Sequence, residues 1–144
     1  MRELEIAGTP ATCVAACILR DDRLLIGLRH YTPDKWKKAD IWTTPGGRCE
    51  AGEKLEAALR RETAEEVGIT ELEITDFLGI VPGGMPSDTL YVFICRSAQE
   101  PRLMEPEKFS EWKWEGLDRI PANFINPAAL ELIRKFVAGQ HGGS

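Results

Sequence analysis

Three glutamates within five residues, Glu62, Glu65 and Glu66, are the most chemically suggestive group in this chain. On a helix turning about 100° per residue, Glu65 falls about 60° to one side of Glu62 and Glu66 about 40° to the other. The three carboxylates therefore share one face. Leu55, Ala58 and Leu59, earlier in the same segment, fall on that face too, so an apolar stripe becomes an acidic one without changing direction. A charge run is ordinarily a solvated face. Solvated helices, however, favour opposite charges four residues apart, and Glu62 with Glu66 is a like-charge pair at that spacing. The Arg61–Glu65 pair offsets only part of the repulsion. Carboxylates that repel one another make sense around a hard divalent cation. Magnesium takes oxygen ligands, typically one or two protein carboxylates together with phosphate oxygens and water.

The segment carrying them, Glu53 to Val67, has no Gly or Pro and is rich in Ala, Leu, Glu and Arg. It predicts a helix, with Gly68 as its stop. Upstream, Thr12 to Leu19 and Arg23 to Leu28 are apolar runs around Asp21-Asp22, the pattern of a hairpin. Tyr31 to Asp40 is polar and basic and reads as a surface loop, and Pro45-Gly46-Gly47 is a sharp break. Downstream, Leu72 to Val81 and Thr89 to Arg96 read as strands separated by Pro82-Gly83-Gly84-Met85-Pro86, and Trp112 and Trp114 alternate with charges in another. Asn126-Pro127 is an N-cap followed by proline at the first helical position. Leu130, Ile133 and Val137 follow at helical spacing, with Gly139 expected to close that helix and residues 139–144 expected to be disordered. Strands, helix, strands, helix is the order of an α/β fold with a mixed sheet between helices.

From Gly47 the sequence runs GRCEAGEKLEAALRRETAEEVGI. This resembles the Nudix box, G-x5-E-x7-R-E-U-x-E-E-x-G-U, where U is a bulky aliphatic residue. Gly47, Glu53, Arg61, Glu62, Glu65, Glu66, Gly68 and Ile69 fall in register, eight positions over 23 residues. Thr63 departs from it, standing where the family usually has an aliphatic residue. The resemblance implies an α/β/α sandwich formed by residues 1–144 as a single domain, and hydrolysis of a diphosphate linkage. It implies Glu62, Glu65 and Glu66 as magnesium-binding carboxylates, with manganese a substitute ion and the Gly47 carbonyl a further ligand. Arg61 would orient the glutamates, Glu53 would support the loop–helix junction, and Glu62 is the first choice as general base. Residues 105–112 resemble a segment of Nudix enzymes that act on nucleoside triphosphates, in which one residue contacts the base or adds a ligand from across the cleft. Glu111 and Glu107 are the candidates there. Phe109, Trp42 and Trp112 are available to stack on a base. Arg29 and the lysines Lys35, Lys37 and Lys38 are available to phosphates.

With 144 residues, 43% hydrophobic and 28% charged, the chain suits one self-sufficient domain. A net charge of −5 provides no global field for nucleic-acid polymers or acidic lipid, so the expected partner is a small nucleotide, with a homodimer left open. Cys13, Cys17, Cys49 and Cys95 form no C-x-x-C pair, and the two histidines are isolated. The amino terminus has no signal-peptide core and no apolar run approaches a membrane span, the pattern of a reduced, cytoplasmic protein. Hydrolysis of a nucleoside triphosphate to monophosphate and pyrophosphate is the leading expectation. A pyrophosphatase for ADP-ribose or a nucleotide-sugar is the alternative, with Pro82 or Pro86 a loose match to that subgroup. A sensing domain that binds a nucleotide without cleaving it is a third, and the complete set of box glutamates argues against it.

Overall fold

The computed structural model describes residues 1–30 and 40–142. The expected basic loop with Lys35, Lys37 and Lys38 falls almost wholly on residues 31–39, outside that set.

Among the described residues seven strands form one mixed sheet: β1 (Thr12–Arg20), β2 (Arg23–Arg29), β3 (Ile41–Thr43), β4 (Gly46–Arg48), β5 (Glu73–Pro82), β6 (Thr89–Arg96) and β7 (Phe109–Gly116). The principal order is β3-β2-β1-β6-β5, with β4 also on β1 and β7 also on β2. Strand β1 organises the whole. Its first seven residues run parallel to β6, and Cys13, Val14 and Ala15 pair antiparallel with Arg48, Gly47 and Gly46. Only Leu19 and Arg20 pair with β2. The expected hairpin is present, and Asp21 at its turn adopts φ 56°, a left-handed conformation that Asp tolerates.

Because successive residues of a strand face opposite ways, β1 feeds two cores. Ala15, Cys17 and Leu19 pack with Leu130, Ile133 and Val137 of helix α2 (Pro127–Gly142). Val14, Ala16 and Ile18 pack with Leu55, Ala58 and Leu59 of helix α1 (Leu55–Val67). The result is the expected α/β/α sandwich, and it explains why β1 is an almost unbroken apolar run.

Helix α1 ends as expected at Gly68, whose φ of 70° is left-handed. At the start of α2 the Asn126 Oδ1 accepts the Ala129 N–H at 3.0 Å, the expected cap. Gly139 does not stop α2, which continues to Gly142. A single glycine costs a helix only about 1 kcal/mol, and the apolar face anchored by Ile133 and Val137 carries the helix through it. Strands β3 and β4 were not anticipated: three residues are too few to show a period. Cys17, Cys49 and Cys95 are buried and Cys13 half-buried, all as free thiols. Among the described residues no helix is long and apolar enough to cross a membrane.

Candidate active site

Strand β4 is where the acidic face of α1 meets the sheet. The buried Glu66 carboxylate accepts the Gly46 N–H at 2.8 Å. Glu62 lies against Gly47 so closely that a Cβ there would sit 2.6 Å from the Glu62 Cδ and 2.7 Å from its Oε2. At Gly46 a Cβ would meet the Val14 carbonyl oxygen at 2.1 Å, and φ is 152°. The Gly-Gly pair is thus needed for close approach on both sides: one residue against β1, the other against the carboxylate.

Arg61 holds the acidic group in place. Its Nε and Nη2 donate to both oxygens of Glu53 at 2.9 and 2.8 Å, and its Nη1 donates to Glu62 at 2.9 Å. The Nη2 also donates to the Arg48 carbonyl at 3.2 Å. Glu53 in turn accepts the Glu50 N–H at 2.9 Å, closing the loop into α1. The Arg61 guanidinium holds the Glu53 carboxyl down to about 2. Glu62 and Glu66 shift the other way. Burial raises both, Glu66 to about 8, and each also feels repulsion from Glu105.

A cavity of about 530 Å³ opens beside these groups. Its floor is the sheet face around Cys13, Ala15 and Cys17. Glu62, Glu66 and Gly47 lie at the β4 side, and Phe124, Asn126 and Ala129 line the side formed by the start of α2. Arg29 and Lys108 also line the cavity and add positive charge to it. Glu65 does not line it. Its side chain is 51% exposed, 3.6 Å from Arg61.

The 105–112 segment is placed differently from expectation. Phe109 is fully buried, its ring 4.7 Å from that of Trp112 and beneath the Arg29 guanidinium, so it is a core residue with no face free for a base. Trp42 is in the core, and Trp112 packs on Gly27. Glu111 is exposed on β7 opposite Leu28, off the cavity wall. Glu107 is exposed and likewise off that wall. Glu105, half-buried and paired with Lys108 at 3.3 Å, is the acidic residue of this segment whose charge raises both Glu62 and Glu66, though like Glu107 and Glu111 it is off the cavity wall. Its position in a loop, outside any periodic run, left no signal by which to prefer it.

Oxygen donors at the mouth of a cavity that also carries two cations suit a hard divalent ion. Burial raises both inward carboxylates, although Glu62 shares the Arg61 guanidinium with Glu53 and Glu66 feels the charge of Arg29 as well as the Gly46 N–H. Among the described residues no three acidic, histidine or cysteine side chains are already drawn around one point. A magnesium ion held by Glu62 and Glu66 would complete its shell with phosphate oxygens and water, its usual habit.

Thr63 departs from the box pattern without disturbing this arrangement. It is fully buried, and its hydroxyl donates to the Leu59 carbonyl at 2.7 Å.

Residues 9–136 match the NUDIX domain family. The chain is 29% identical over 129 residues to an NAD-capped RNA hydrolase NudC of Edwardsiella ictaluri (strain 93-146), covering 89% of this chain and 48% of that protein. It thus spans about half the length of such curated relatives. An RNA pyrophosphohydrolase of Caulobacter vibrioides (strain NA1000 / CB15N) is 27% identical over 142 residues, 85% of this chain and 80% of that one. A MutT NUDIX hydrolase from Burkholderia pseudomallei superposes with a TM-score of 0.65 at 27% identity, over 87% of this chain and 98% of the other.

Proposed function

The chain belongs to the Nudix hydrolase family, and on that premise we propose that it hydrolyses the diphosphate linkage of a nucleoside triphosphate, giving monophosphate and pyrophosphate. The observation that carries this reading is the pairing of Glu62 and Glu66 with Arg29 and Lys108 on the wall of one cavity. Residues 1–144 act in this reading as one domain, with a small nucleotide as partner.

Bound magnesium, or manganese in its place, would neutralise phosphate oxygens and stabilise charge on the leaving group. Glu62 and Glu66 would hold the ion, with Glu65 of the same helix face and the Gly47 carbonyl as further oxygen donors. Arg61 keeps Glu62 aimed at the cavity while locking Glu53 against the loop. Arg29 and Lys108 bind and orient the outer phosphates. Water adds to phosphorus and the P–O bond of the α–β bridge breaks. The bond's electron pair leaves with pyrophosphate, and the water's proton passes to Glu62. In this reading Glu105, whose charge raises both inward glutamates, takes the place of Glu111 as the cross-cleft carboxylate.

A second reading is a pyrophosphatase of ADP-ribose or another dinucleotide. The cavity extends well past the carboxylates to Asn126 and Ala129, which leaves room for a group beyond the diphosphate. Two relatives are named an NAD-capped RNA hydrolase and an RNA pyrophosphohydrolase, so an RNA substrate is a further arm of the test, although a net charge of −5 offers little long-range attraction.

A panel of nucleoside triphosphates, ADP-ribose, nucleotide-sugars and capped oligonucleotides, turned over with magnesium in ¹⁸O-water, separates these readings. Triphosphates should give monophosphate and pyrophosphate with one ¹⁸O incorporated. Orthophosphate with diphosphate across the panel would refute the proposal, and turnover of ADP-ribose alone would establish the second reading.

A further inference from the structure

Arg48, one residue past Gly47, points along the cavity floor. Register places Arg48, Cys13 and Leu90 side by side on one face of β4, β1 and β6. From there Arg48 reaches across β1 to Asp88, in the loop joining β5 to β6. The contact is a two-pronged ion pair: Nη1 to Oδ1 and Nη2 to Oδ2, both 2.6 Å, with Nη1 also donating to the Pro10 carbonyl at 3.0 Å. The pair is asymmetric. The Asp88 side chain is 3% exposed and that of Arg48 46%.

Asp88 in turn sets the shape of its loop. Its Oδ2 accepts the Met85 N–H at 3.1 Å, its carbonyl accepts the Gly83 N–H at 3.0 Å, and its own N–H donates to the Met85 carbonyl at 3.0 Å. Gly83 lies so close that a Cβ there would stand 2.6 Å from the Asp88 Cβ. The other end of the loop is tied to α2, where Asn126 Nδ2 donates to the Pro82 carbonyl at 2.9 Å. Arg48, Asp88, Gly83 and Gly84 all line the cavity. Glycines at 83 and 84 turn bare peptide toward it, a flat surface with hydrogen-bonding edges.

We propose that Arg48 and Asp88 are a positioning pair that fixes the β5–β6 loop as the end wall of the cleft, so that this pair sets which group attached to the diphosphate is accepted. The inference rests on the hydrolase reading and adds the determinant of its selectivity. The Arg48 carbonyl also accepts from Arg61, so one residue ties the wall that meets the distal group to the guanidinium that aims the carboxylates. A wall held by a two-pronged ion pair has one geometry and rejects groups that do not fit it. Released from the pair, it relaxes and discriminates less.

Arg48→Lys keeps the charge but cannot grip two oxygens at once, and the exposure of Arg48 leaves folding largely intact. Asp88→Asn keeps the shape and removes the charge. Asn126→Asp removes the donor to Pro82 and keeps the helix cap. The readout is kcat and KM for four nucleoside triphosphates and for inorganic triphosphate, which carries no distal group. The expected result is a loss of discrimination among nucleotides by about tenfold, carried by KM more than by kcat, with KM for inorganic triphosphate unmoved. An equal change for every substrate, inorganic triphosphate included, or no change at all, overturns the proposal. If the wild-type protein cleaves no diphosphate, the hydrolase reading fails separately. Calorimetric titration with nucleoside monophosphates then decides the wall: an altered order of affinities in Arg48→Lys supports it, and an unaltered order or no binding overturns it.

Discussion

Replacing Arg61 with glutamine, which has similar helix propensity, removes the charge that holds Glu53 and Glu62. Both partners are largely withdrawn from water, with side chains 14% and 17% exposed. The Arg61 guanidinium lowers the Glu53 carboxyl from 4.5 to about 2, a drop worth about 3 kcal/mol. Solvent at the rim screens the pair and brings this to about 2 kcal/mol. Stranding Glu62 adds a charge-assisted hydrogen bond, for a total of about 2–4 kcal/mol at pH 7. The pH dependence gives the sharper test. A carboxyl held below its ordinary value contributes stability that is complete above about 4.5 and is lost as pH falls toward about 2. Glu62, already raised by burial, rises further without Arg61, which costs stability near neutrality and nothing in acid. Both trends have the same sign. Urea denaturation followed by tryptophan fluorescence should therefore show the full deficit at pH 7 and a deficit about 1.4 kcal/mol smaller at pH 3.5. A deficit that is the same at both pH values, or one below about 0.5 kcal/mol at pH 7, would refute the assignment of Arg61 as the organising cation.

Glu66→Gln and Glu65→Gln should each lower kcat/KM, Glu66 more strongly, by about 2–4 kcal/mol of transition-state stabilisation, with stability unchanged or slightly raised; steady-state rates over a magnesium series check this. Gly47→Ala should displace Glu62 and reduce kcat/KM by about a hundredfold with little loss of fold, measured beside a denaturation curve. Glu105→Gln should lower turnover on all substrates and raise the magnesium requirement, whereas Glu111→Gln should leave both unmoved; the reverse outcome would reinstate Glu111. Thr63→Val should stay within about 1 kcal/mol of wild-type stability with unchanged kinetics, because only one hydroxyl contact is lost.

What the sequence determined by itself is what neighbouring residues decide among themselves. Helix α1 was legible because apolar residues recur at its period and Gly68 can take a left-handed φ. The shared face of Glu62, Glu65 and Glu66 follows from the angle per residue. The β1–β2 hairpin and the Asn126 cap are likewise matters of a few adjacent residues. Tertiary structure decided the rest. Nothing local pairs β1 in parallel with β6, some eighty residues away, or brings Arg48 to Asp88, forty residues apart. Phe109 and Glu111 share an alternating pattern that fits either a cleft or a core. Their fate was settled by a register shift where β7 pairs with β2, which buried the first and left the second in solvent, while the loop before it holds Glu105, whose charge the glutamates feel. The helix angle placed three carboxylates on one face, but the edge of β4 drew Glu62 and Glu66 inward and left Glu65 half outside. Local chemistry selects the elements. Which side chains meet across a cavity depends on strand register and layer packing, which reside in no single stretch of the chain.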